Sequence, residues 1–132
     1  MKAHATGRWA ETMFKALSAR VAKRWQFLSF RGAGKGEWKG VVDVLAIRKN
    51  TSAPTSAELK RGDLFEIILV QIKGGSAKAP TEEDCVRLQA VAKHYNAAAV
   101  VLFSWVKGKQ ADFSILQGDR SWKASSGSEI FG

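Results

Sequence analysis

The stretch from Leu64 to Lys73, LFEIILVQIK, constrains the fold more than any other part of the chain. It is a nearly unbroken apolar run of strand length, and such a run reads as a strand covered on both faces. A strand of that kind needs helices above and below it, which the rest of the chain must provide. The segment RWAETMFKALSARVAKR provides one. Its Ala10, Met13, Phe14, Leu17 and Val21 recur at helical spacing, with Lys15, Arg20, Lys23 and Arg24 mostly off that stripe. The spacing predicts a helix over 7–24. A second helix is predicted over 81–95. Thr81 is its N-cap, Glu82, Glu83 and Asp84 suit the macrodipole in its first turn, and Cys85, Leu88, Val91, Ala92 and Tyr95 form its buried stripe.

Further strands are predicted over 25–30, 41–49, 97–105 and 111–117. The polar segment 51–63, with Pro54, reads as the connector of a hairpin, and the tail SWKASSGSEIFG shows no regular pattern. The order is helix, three strands, helix, two strands. It implies one α/β domain over 1–132, with a mixed sheet of about five strands flanked by helices in three layers. The first three strands can form a meander. The crossover from 64–73 to 97–105 should be parallel and right-handed.

A single cysteine, Cys85, excludes an internal disulfide, and no apolar run approaches the ~18 residues of a membrane helix. The first residues lack the apolar region of a secretory signal, so a cytoplasmic location and no membrane partner are expected. The net charge is +9, and it is uneven. Residues 1–40 carry nine basic and two acidic side chains, residues 41–80 six and four, and residues 81–132 six of each. A basic N-terminal third on a neutral remainder suits a polyanion such as nucleic acid. The candidate contacts there are Lys23, Arg24, Arg31, Lys35, Trp38 and Lys39. Trp38, within the Gly- and Lys-rich RGAGKGEWKG, is the tryptophan best placed to stack on an exposed base. That glycine-rich segment lacks the full phosphate-loop spacing, and no helical pattern follows it.

Three polar residues interrupt the strand patterns: Asp43 in VVDVLAI, and Gln71 and Lys73 in IILVQIK. Burying a carboxylate, an amide or an ammonium without partners is expensive, so their presence needs a reason. Gln71 and Lys73 share one strand face, and Asp43 can project into the same patch if the two strands are neighbours. In these residues the chain resembles the PD-(D/E)XK nuclease superfamily, most closely its Mrr-like restriction endonuclease branch. Asp43 matches the aspartate of the second strand, and Gln71-Ile72-Lys73 matches the Glu-x-Lys or Gln-x-Lys of the third. The element order matches over nearly the whole length.

The resemblance implies a restriction endonuclease-like fold and metal-dependent phosphodiester hydrolysis of DNA, of a restriction or repair type. Asp43 and Gln71 would hold Mg²⁺ or Mn²⁺, and Lys73 would act as catalytic base or stabilise developing charge. Two positions depart from the pattern: Gln71 replaces the commoner acid, and Val42 stands where Pro often precedes the Asp. Glu66 cannot make up the lost charge, because its odd spacing from Gln71 puts it on the other strand face. Glu11 could supply a second carboxylate from the first helix, as a helix acid does in some members of the superfamily. A solvent-facing role is the plainer expectation for it. With one site per chain, double-strand cleavage would most simply require a homodimer. The alternatives are a catalytically inactive nucleic-acid-binding module on the same fold and a basic protein-interaction domain. His94 is expected at the surface and Cys85 in the core.

Overall fold

The computed structural model describes residues 3–30, 40–74, 79–105 and 111–132, with side chains of the first helix from Ala10 onward. The elements in order are α1 (Ala3–Val21), β1 (Gln26–Ser29), β2 (Val44–Lys49), β3 (Phe65–Gly74), α2 (Glu82–Tyr95), β4 (Ala99–Trp105), β5 (Asp112–Leu116), β6 (Trp122–Ser125) and α3 (Gly127–Phe131). The strands form one six-stranded sheet in sequence order. Neighbours are antiparallel except β3 and β4, which run parallel on either side of the α2 crossover. The predicted meander and parallel crossover are present, and the sheet has one strand more than expected.

Alternation along β3 divides the molecule into layers. Ile68, Val70 and Ile72 join Val44, Ala46, Val101 and Phe103 beneath α1, whereas Leu69 joins Leu88 and Val100 beneath α2. Both faces of β3 are thus buried, as its unbroken apolar run requires. Phe14 of α1 is fully buried and sits at the centre of the larger layer. Its ring lies 5.4 Å from Phe103, 5.5 Å from Phe27 and 5.9 Å from Phe131, all in edge-to-face arrangements.

α2 starts where its sequence says. The Thr81 hydroxyl accepts from the Asp84 N–H at 3.1 Å, and the Asp84 carboxylate accepts from the Thr81 N–H, a reciprocal capping box. Asn96 ends the helix in the left-handed conformation that Asn tolerates. Cys85 and Leu88 are buried. Tyr95 is not: it is 62% exposed, at an apolar groove that it lines with Val91, Leu45 and Ile67. His94 is exposed beside it, as expected.

The tail is more ordered than its sequence suggests. Trp122–Ser125 pairs with β5, and Ser126 caps α3 by accepting from the Glu129 N–H at 3.2 Å. α3 delivers Phe131 into the aromatic core, where it is fully buried against Phe14, Trp25 and Phe27. Gly127 lies against α1 and β5: a Cβ there would stand 3.4 Å from Val21 Cγ2 and 3.5 Å from the Phe113 ring, both ordinary contact distances.

Candidate active site

Asp43, directly before β2, meets β3 at Ile72, between Gln71 and Lys73. β2 is shorter than predicted, and the reason is Asp43. Its N–H donates to the Val70 carbonyl at 2.9 Å, and its carbonyl accepts from the Phe30 N–H at 3.1 Å, so its backbone still bridges β1 and β3. On its N-terminal side the chain turns into the α2 layer, where Val41 is buried and Val42 packs beside it. β3 continues past that point paired with β4, with no described strand on its β2 side.

The carboxylate of Asp43 fills the gap. The Val70 carbonyl faces β2, so the N–H of Ile72, two residues on, faces the same way. Asp43 Oδ2 accepts from that N–H at 2.8 Å. The one acid of the proposed trio is therefore fastened to the residue between Gln71 and Lys73.

Gln71 and Lys73 follow Leu69 in alternation and so point to the α2 side of the sheet. Gln71 is 6% exposed, and its Oε1 is buried without a hydrogen-bond partner among the described residues. Ser18 on α1 and Trp25 in the layer beneath it also carry such atoms. Lys73 is half-buried one register step beyond. An amide oxygen out of water and out of the hydrogen-bond network is suited to a donor or a hard cation.

Glu11 departs from the sequence expectation. It is 7% exposed and faces inward from α1, accepting from the Ser29 hydroxyl. Ser29 is paired with Val44, the residue after Asp43, so Glu11 reaches the same end of the sheet from the α1 side. The signal available in the sequence was its position directly after Ala10 on the buried stripe. Glu66 is at the other end of β3, ion-paired with Arg48 on β2. Gln89 is also structural: its Nε2 donates to the Gln117 and Gly118 carbonyls at 3.1 and 3.2 Å.

Asp43, Gln71 and Glu11 are all oxygen donors, the type that Mg²⁺ and Mn²⁺ favour. The acids are sparse: among the described residues no group of three or more His, Cys, Asp or Glu side chains could hold a metal ion. The Asp43 carboxylate and the buried Gln71 amide oxygen, either side of the Ile72 N–H, are donors of a kind that a hard cation accepts. Of the candidate nucleic-acid contacts, Lys23 and Arg24 are exposed just after α1. Arg31, Lys35, Trp38 and Lys39 lie outside the described residues. No described helix is long and apolar enough to cross a membrane.

No family model matches the chain. No curated protein matches it either. Among solved structures it is similar to Hjc, a Holliday junction resolvase from the archaeal hyperthermophile Archaeoglobus fulgidus, with a TM-score of 0.55 and 11% identity. The superposition covers 96% of this chain and 100% of the resolvase. At that identity the likeness concerns the fold alone. Helix, three-stranded meander, crossover helix and parallel fourth strand occur here in the order and pairing of the restriction endonuclease-like fold, and that is the fold this chain has, the fold of the PD-(D/E)XK nucleases to which such resolvases belong.

Proposed function

We propose that the chain is a divalent-metal-dependent endonuclease acting on DNA, with Asp43, Gln71 and Lys73 as its catalytic residues. One observation carries the reading: Asp43 is anchored to the Ile72 N–H, while the buried Oε1 of neighbouring Gln71 has no hydrogen-bond partner among the described residues. Asp43 and Gln71 would hold Mg²⁺ or Mn²⁺, with Glu11 as a further carboxylate from the α1 side. The ion, when bound, would polarise the scissile phosphate and lower the pKa of an attacking water.

The protein's own groups do the rest. The Ile72 N–H fixes Asp43 Oδ2 beside Gln71. Lys73 brings a cation to the same strand face as Gln71, where it can orient the water and stabilise negative charge on the phosphate. Lys23, Arg24, Arg31, Lys35 and Lys39 would hold the DNA backbone, and Trp38 would stack on an exposed base. Double-strand cleavage would bring two copies together as a homodimer.

The test is cleavage of duplex and four-way-junction DNA with Mg²⁺, Mn²⁺ or chelator. Cleavage that needs the metal and disappears in Asp43→Ala and Lys73→Ala supports the reading. Cleavage that survives both changes overturns it. The sparse acids favour a second reading, a DNA-binding module that has lost catalysis. Tight, salt-sensitive binding with no cleavage under either metal would establish that one.

A further inference from the structure

The far end of the β2–β3 hairpin carries a second feature, a groove of about 520 Å³ lined in part by Arg24, Gln26, Lys49, Thr51 and Phe65. Arg48 also borders it, but its charge is already engaged. Its guanidinium pairs with Glu66, lies 4.3 Å from the Trp25 ring centroid and donates to the Lys23 carbonyl at 3.1 Å. Arg48 therefore clamps the residues on either side of Arg24. Arg24 is held with φ at 66°, in the left-handed region where a glycine is the unstrained choice. An exposed arginine at such a position serves no backbone purpose there. Lys49 is likewise exposed, and its cross-strand partner is Phe65, 62% exposed at the start of β3.

Two exposed cations on a clamped backbone beside an exposed ring have the chemistry that nucleic acid recognises: cations for phosphates, an aromatic face for a base. We infer that this groove is a distal anchoring subsite for a nucleic-acid strand, with Arg24 and Lys49 on successive phosphates and Phe65 stacked on an unpaired base. It lies about 20 Å from Asp43, six strand residues at ~3.3 Å each. A strand engaged there and at the catalytic residues would be held at two points, which orients it across the sheet. This inference rests on the nuclease reading but needs no cleavage to be tested.

The experiment is fluorescence anisotropy with labelled single-stranded and duplex DNA in chelator, over a salt series, alongside thermal melts. The variants are Arg24→Gly with Lys49→Gln, and Phe65→Ala alone. Glycine suits the left-handed backbone, so the double variant should melt no lower than the parent. Its slope of log Kd against log salt should shrink by about 2, one unit per lost phosphate contact. Phe65→Ala should weaken single-stranded DNA roughly tenfold and duplex much less, since stacking needs an exposed base. Unchanged affinity and slope in the double variant overturn the subsite while leaving the nuclease reading standing. Equal losses on single strands and duplex with Phe65→Ala overturn the stacking role. A parent protein that binds neither DNA overturns both the subsite and the nuclease reading.

Discussion

Asp43 has two tasks that substitution can separate. It completes the hydrogen bonding of Ile72, and it is the charged member of the proposed metal site. Asp43→Ala should therefore destabilise the protein by about 1–3 kcal/mol, because a buried N–H loses its acceptor. Asp43→Asn keeps an acceptor, so most of that loss should be avoided while divalent-ion binding falls as far as in the alanine variant. Chemical denaturation and Mn²⁺ titration of the two variants check this, and equal stabilities would remove the structural half of the argument. Gln71→Glu examines the neutral ligand. If Gln71 Oε1 faces a cation, the added charge should tighten Mn²⁺ binding, and metal should raise the melting temperature. If the oxygen is only a core atom, the new carboxylate is desolvated, the melting temperature drops, and Mn²⁺ does not restore it.

At the scale of elements, the C-terminal hairpin and α3 act as a lid on the aromatic core. Phe131 enters that core from a helix of one turn, so the residue anchors the helix more than the helix anchors the residue. Phe131→Ala should cost about 3–5 kcal/mol, the range for deleting a buried aromatic side chain. Ser126→Ala removes only the cap and should cost about 1 kcal/mol. Urea denaturation of both separates packing from capping, and comparable losses would show that α3 depends on its cap rather than on Phe131. The same logic at α2 assigns about 1 kcal/mol to Thr81→Ala, since its capping box is complete.

For the molecule as a whole, charge distribution makes the clearest claim. DNA affinity should fall steeply with salt. Replacing Lys23, Arg24, Lys35 and Lys39 with alanine should weaken it far more than replacing Lys107, Lys109 and Lys123. The N-terminal third carries the excess charge, and residues 81–132 are neutral. Equal losses from the two sets, read by anisotropy in one buffer, would refute an N-terminal binding face.

The layering of the fold was legible in the chain because it rests on local periodicity. LFEIILVQIK had to be covered on both sides, and α1 and α2 carry stripes that can cover it. The Asp43, Gln71 and Lys73 pattern was equally legible, since polar residues within apolar strands stand out against the cost of burying them. What periodicity cannot reach is any feature that depends on a distant partner. β6 has four residues and α3 five, too few to show a period, and Phe131 is a core residue only because Phe14, Trp25 and Phe27 meet it. The capping signal Ser126-x-x-Glu129 was its one local trace. Tyr95 continues a helical stripe yet lies exposed, since periodicity does not show how much of a stripe the sheet will cover. Glu11 turns inward because β1 places Ser29 opposite it. Arg24, Lys49 and Phe65 are scattered in sequence, and only the antiparallel pairing of β2 with β3, and Arg48 holding the end of α1 against that hairpin, brings them into one groove.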